Sequence, residues 1–299
     1  MPPFLHLGNH MRIRATVAAV SGALALSAFV VPAAQAAGSA PSYRAEAAKI
    51  LAAHSGRTAF SSTAAAADLG VTFSDLKIAK AVKVGTTAHV STTVTYTLTH
   101  GSNYDLTSDD FDSGPVIYKG SIATPDNLLG GEAAATCTAT STTTAKCSGK
   151  IDIYPGEGDL LNSDAGKWSA GALALQYSTG DYSLQGGLGS TLVQRASQLT
   201  VNAAPEPVKK GKTVTVTGKL SRANWEDNKY HGYTGQPVKL QFRKKSSSTY
   251  TTLKGIYSNS TGALKTTTTA TVDGYFRFSF AGTSTTPAVS ATGDYVDVQ

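Results

Sequence analysis

Between residues 87 and 98 the chain alternates strictly. Ala88, Val90, Thr92, Val94, Tyr96 and Leu98 fall on one side, and Thr87, His89, Ser91, Thr93, Thr95 and Thr97 on the other. A period of two is the mark of a strand with one buried face. Similar runs at residues 71–78, 115–118, 133–140, 144–154, 167–178 and 192–201 are separated by turns rich in Gly, Asp and Ser. No helical period intervenes, so an antiparallel sandwich is expected over residues 71–204 rather than βαβ units. Ala203-Ala204-Pro205-Glu206-Pro207 is read as the linker that closes it.

From residue 205 to 299 the same pattern recurs at residues 213–220, 237–243, 250–257, 264–272, 275–280 and 294–298. Six or seven strands in that length predict a second, immunoglobulin-like sandwich. Asp273-Gly274, between two of the runs, reads as a hairpin turn of type I′. The fold class expected is therefore all-β, with two antiparallel β-sandwich domains.

The front of the chain breaks the pattern. Met11-Arg12-Ile13-Arg14 precedes an apolar run over residues 15–31, and Ala34-Gln35-Ala36 supplies a small-x-small cleavage site. This reads as a secretion signal over residues 1–36, in which residues 1–10 are an upstream extension from a misplaced start or part of a longer leader. The apolar run falls short of the roughly 20 residues that span a bilayer, and no second one follows it. Residues 37–70 are rich in Ala, Ser and Thr with one short helical pattern over residues 43–53, capped by Ser42, and are read as a mobile leader.

Composition fits an exported β protein. Charged residues make up 15% of the 299, and there are only two cysteines. Cys137 and Cys147 lie equidistant from Thr142 in the hairpin predicted by residues 133–154, which places them opposite one another and predicts a disulfide in an oxidising compartment.

Four stretches carry a resemblance: Pro205-Glu206-Pro207-Val208-Lys209-Lys210-Gly211-Lys212-Thr213, Pro237-Val238-Lys239-Leu240-Gln241-Phe242-Arg243, Val272-Asp273-Gly274-Tyr275-Phe276-Arg277-Phe278 and Gly293-Asp294-Tyr295-Val296-Asp297-Val298. Here the chain resembles the immunoglobulin-like modules of secreted actinobacterial proteins. In layout the whole chain is similar to a group of such proteins, some labelled calcium-binding. The resemblance implies a fold and brings no functional residue with it.

Charge divides the chain. Residues 37–204 carry 11 Lys/Arg against 14 Asp/Glu, whereas residues 205–299 carry 13 against 6, a net +7. The basic half is expected to contact an anionic wall polymer or a glycan, with Lys209-Lys210-Gly211-Lys212 and Arg243-Lys244-Lys245 as local clusters. Nucleic acid is not an expected partner, nor is membrane once the signal is removed. Within residues 221–236, Trp225, Tyr230, His231 and Tyr233 stand beside Glu226 and Asp227, a set able to stack on sugars or peptides. Asp105, Asp109, Asp110 and Asp112 precede Gly114, and Glu157, Asp159 and Asp164 form a second acidic stretch. Carboxylates so clustered are candidate Ca²⁺ ligands, although Gly114 falls at position five from Asp110, not the sixth position of an EF-hand.

There is no GxSxG elbow and no HExxH, and His54, His89, His100 and His231 lack a recognisable nucleophile context. The expectation is a secreted, non-catalytic binding or structural protein of the cell exterior, possessing no firmly implied cofactor. A calcium-binding version of the same protein is one alternative. A secreted hydrolase, its triad assembled from distant positions of the front domain, is another.

Overall fold

A computed structural model describes residues 42–54 and 67–299. The predicted secretion signal lies outside the described residues.

Nine strands build the front sandwich: β1 (Thr72–Ile78), β2 (Ala81–Val84), β3 (Val90–Thr99), β4 (Phe111–Gly120), β5 (Pro125–Gly130), β6 (Thr136–Ala139), β7 (Thr144–Ile153), β8 (Gly166–Gln176) and β9 (Tyr182–Arg195). One sheet runs β1-β3-β7-β6 and the other β2-β9-β8-β4-β5. All pairs are antiparallel except β2 with β9, which is parallel. The alternation at β3 does what it promised, since Val94, Tyr96 and Leu98 are buried beneath the second sheet. That sheet answers from β8 with Trp168 and Ala170 in one cluster and with Ala172 and Ala174, small residues that leave room for Phe73 and Tyr96, in the next. The opposite face of β8 is also apolar, with Leu173 and Leu175 fully covered. Burial on both faces explains why β8 reads as a nearly continuous apolar run.

What covers the second face is helix α1 (Tyr43–His54). Tyr43 and Ala47 are buried against Val116, Leu173 and Leu175. The leader is thus corrected over the described part of residues 37–70: its helix is docked, not mobile. Few large side chains are needed, because the sheet supplies the apolar surface. Gly114 is part of the fit, as a Cβ there would overlap the Tyr43 hydroxyl. Leu69 and Val71 are buried as well, and the Ala67 amide donates to Asp181.

The predicted staple is present. Cys137 and Cys147 are register partners across β6 and β7, with Cα atoms 4.1 Å apart, and form a disulfide.

The back sandwich comprises β10 (Ser197–Leu199), β11 (Asn202–Ala204), β12 (Thr213–Asn224), β13 (Lys229–Gly232), β14 (Pro237–Lys244), β15 (Thr251–Tyr257), β16 (Ala263–Thr269), β17 (Gly274–Phe280), β18 (Val289–Ser290) and β19 (Asp294–Val296). In one sheet β12 pairs with β10, β11, β13 and β16; in the other the order is β15-β14-β17, with β18 and β19 on the free edge of β17. Val208 forms a parallel bridge with Val298, so the first edge crosses from one sheet to the other. These pairings make an immunoglobulin-like sandwich. Its core interleaves Val214, Val216, Leu220 and Leu264 with Val238, Leu240, Phe276, Phe278 and Phe280.

Two expectations change here. The predicted linker is not one: β11 pairs with Thr215–Thr217 of β12 and Ala203 is buried, so the back sandwich begins at β10, directly after β9. The two prolines mark a turn between strands instead of a gap between domains. Nor is Asp273-Gly274 a hairpin, because β16 belongs to the β12 sheet and β17 to the β14 sheet. Gly274 is required by crowding: a Cβ there would overlap the Phe242 ring and the Arg243 carbonyl.

Candidate functional site

The aromatic loop predicted to bind ligand is the hairpin between β12 and β13, and the structure divides its residues. Trp225 is 2% exposed and packs into the front sandwich's core with Val84, Trp168 and Val193. Its Nε1 donates to the Gly85 carbonyl at 2.9 Å and its backbone amide to Asn162 Oδ1 at 3.1 Å. Tyr230 packs beside it, half-buried. A ring enclosed in this way has no face left for a ligand, so Trp225 is corrected from a binding residue to an interdomain plug. His231 is exposed and pairs with Asp227 at 2.6 Å, while Tyr233 lies edge-on to Phe280 under the Arg222 guanidinium, 4.0 Å from its centroid. The four residues therefore do not form one surface.

Further bonds tie the sandwiches together around the plug. Asn162 Nδ2 donates to Asn224 Oδ1 at 2.6 Å, Arg195 Nε to the Ala223 carbonyl at 2.5 Å and Gln194 Nε2 to the Thr283 carbonyl at 2.8 Å. Burial, with Arg222 nearby, pushes the Arg195 guanidinium down to about 10. It remains charged at neutral pH.

The acidic residues proposed for calcium are spoken for locally. Asp105 accepts from the Thr107 amide and hydroxyl, and Asp110 from Gln176, the Ser178 amide and the Ser178 hydroxyl. Asp112 accepts from the Tyr177 hydroxyl at 2.5 Å. Asp109 is near enough to Asp112 to act on its charge. In the second acidic stretch Asp164 accepts from Asn127 and the Leu161 amide, and Asp159 from the Tyr154 amide. Asp110 and Asp112 flank the start of β4, which pairs with the end of β8, whereas Asp164 precedes the start of β8. Eleven residues of strand place the two stretches about 30 Å apart. Among the described residues no group of three or more His, Cys, Asp and Glu side chains is arranged to hold a metal ion. Asp105, Asp109, Asp110 and Asp112 are thus not gathered into one ligand set among the described residues.

Asp112 does have an altered carboxyl. Burial raises its pKa, the Tyr177 hydrogen bond opposes the rise, and the charge of Asp109 adds to it. In the folded state the group holds its proton to higher pH than in the unfolded chain. Its contribution to stability is therefore fully present below the ordinary aspartate pKa of about 4 and is lost as pH rises through the folded value. Asp112→Asn is accordingly expected to melt above the parent at about pH 7, with the gap closing near pH 3.5. Differential scanning calorimetry at both pH values checks this, and a gap that widened on acidification would contradict it.

In the front domain three elements of a hydrolytic arrangement meet. Asp152 accepts from His89 Nε2 at 2.9 Å and from the Ser91 hydroxyl, and the His89 ring stacks on Tyr154 at 4.2 Å. The order is wrong for a triad. Asp152 sits between Ser91 and His89, so the imidazole has no bond to the hydroxyl it would have to deprotonate. His100 is buried beside its own turn, its Nδ1 within 2.8 Å of the Gly101 carbonyl.

What sequence reasoning did not gather is a surface on the back sandwich. On β14 and β17, Gln241, Arg243, Tyr275 and Arg277 alternate with the buried Leu240, Phe276 and Phe278 and so share the outer face. The Arg243 guanidinium lies 3.8 Å from the Tyr275 centroid and the Arg277 guanidinium 3.8 Å from that of Tyr250. Tyr275 packs on Tyr295 at 5.2 Å, and Lys245 Nζ stands 5.2 Å from the Tyr295 ring. The alternation of Gln241 and Arg243 around Phe242, and of Tyr275 and Arg277 around Phe276, was readable; the cross-strand register that brings them together was not.

No family model matches the chain and no curated protein matches it. Among solved structures it is similar to a marsupial T cell receptor at 10% identity, with a TM-score of 0.34 over 76% of this chain and 73% of that one. A chimeric titin Z1Z2 tandem gives 13% identity and 0.26 over 75% and 99%, and the D0-D1 domain of intimin 14% and 0.25 over 75% and 98%. At such identities and scores nothing about function passes to this chain.

Proposed function

We propose that the chain is a secreted, non-catalytic binding and structural protein of the cell exterior, in which a stapled front sandwich is locked to a basic immunoglobulin-like sandwich that contacts anionic wall polymers. The disulfide, and the lack among the described residues of any helix long and apolar enough to cross a membrane, are compatible with work outside the cell. The observation that carries the reading is the cationic outer face of the back sandwich. Arg243 and Arg277 have no carboxylate within ion-pair distance among the described residues, in a module of net +7. Cations left without an internal counter-charge and held in place by aromatic rings suit an external anion.

Co-sedimentation with purified Gram-positive cell walls tests it. Raising salt from about 0.15 M to 1 M shortens the screening length from about 8 to 3 Å, so bound protein is expected to be released. Retention indifferent to salt would contradict the electrostatic contact.

A further inference from the structure

The stacked face of the back sandwich has a definite geometry. Tyr295, Tyr275 and Arg243 are successive register partners across β19, β17 and β14, and Arg277 faces Gln241 one step along the same face. Tyr250 bridges the rows, 5.4 Å from the Arg243 guanidinium and 3.8 Å from that of Arg277. The result is a track running Lys245, Tyr295, Tyr275, Arg243, Tyr250, Arg277. It lies at the start of β17, whereas the contacts with the front sandwich begin past its end, at Thr283. The track therefore occupies the distal part of the molecule, clear of the interdomain lock.

Stacking fixes the plane of each guanidinium and leaves its edges as the open donors. Arg243 spends one N–H on the Ser247 carbonyl and Arg277 its Nε on Gln241 Oε1, each at 2.8 Å. The remaining N–H groups lie in the guanidinium's own plane, the direction in which a fork donates to two oxygens of one anion. Asp273, which takes the Tyr295 hydroxyl and lies 3.9 Å from Lys245, offsets charge at that end; Asp297 also acts on Lys245. The two arginines are thus the uncompensated pair.

We infer that this track is a binding site for a linear phosphodiester polymer whose spacers are polyols or sugars without nucleobases, the phosphates on Arg243 and Arg277 and the spacers on the tyrosine rings. A row of cations separated by rings matches a ligand whose charges recur along its length, in contrast to a single small anion. In a phosphodiester the charge lies in the backbone itself, so two non-bridging oxygens can meet each fork while the chain continues along the face. The inference rests on the reading of the back sandwich as a polyanion-binding module, and it narrows that reading to one face and one chemistry.

The test is calorimetric titration of the purified chain with synthetic poly(glycerol phosphate), with polygalacturonate and single-stranded DNA as comparators. Losing two charge-assisted forks, Arg243→Gln with Arg277→Gln is expected to weaken poly(glycerol phosphate) binding about tenfold or more. Removing three charges from the other sheet, by Lys219→Gln, Lys229→Gln and Lys265→Gln, is expected to weaken it less than about threefold. Equal losses in the two variants would overturn the track as the site while leaving polyanion binding intact. Absence of binding to every polymer by the parent would overturn both. Tighter binding of polygalacturonate or DNA would overturn the assigned ligand. If the glutamine variant does not fold, Arg243→Lys with Arg277→Lys keeps the charge and removes the planar fork, and undiminished affinity there would equally sink the assignment.

Discussion

Trp225→Ala is expected to lower stability by about 3–5 kcal/mol, the cost of emptying a large buried aromatic site, and to split unfolding into two transitions. The reason is position. The ring belongs to the back sandwich by sequence but fills the front sandwich's core beside Val84 and Val193. Its loss leaves a cavity and also frees the Gly85 carbonyl from its partner, while the backbone amide bond to Asn162 can persist. Trp225→Phe retains most of the packing and gives up the Nε1 bond, for an expected cost of about 1 kcal/mol from that bond. Scanning calorimetry measures the melting, and small-angle scattering shows whether the sandwiches hinge apart. A single transition at the parent's temperature for Trp225→Ala would refute the lock.

Replacing both cysteines by alanine is expected to cost about 2–3 kcal/mol, from the chain entropy released when a small loop is opened. The separation of Cys137 and Cys147 is 10 residues. The effect is local in the folded state, since β6 is a four-residue edge strand that pairs with β7 alone. Hydrogen exchange at Thr136 and Thr138 should therefore accelerate more than exchange in β3 or β7. For the melting temperature, a cost of this size corresponds to about 5–10 °C. A change below about 0.5 kcal/mol would mean that β7 holds the edge strand without the staple.

Strand patterning was legible wherever a strand buries one face. β3 and β17 alternate cleanly, and the structure returns the same residues to the core. Local patterning failed in identifiable places. β2 has four residues, too few to establish a period, and exists because β9 pairs with it in parallel. The glycines at 186–189 read as a turn, yet they lie within β9, where the register against β8 shifts. Pro205 and Pro207 carry the composition of a linker while standing between paired segments of the back sandwich. For α1 the sequence shows the helix but not its berth, because the apolar surface that holds Tyr43 belongs to β4 and β8.

The candidate sites divide along the same physical line. Side-chain direction alternates within a strand for reasons of backbone geometry, so the all-β class, the facing cysteines and the charge contrast between the halves could all be read one segment at a time. Which sheet a strand joins, and what a loop meets, depend on pairings between residues far apart in the chain. Tertiary contact turned Trp225 from a ligand-stacking residue into a plug, set the acidic stretches at opposite ends of β8, and stacked Arg243 and Arg277 on tyrosines from other strands. Those outcomes are settled by register and by the apolar surface one domain leaves open for another, and a single stretch of sequence contains neither.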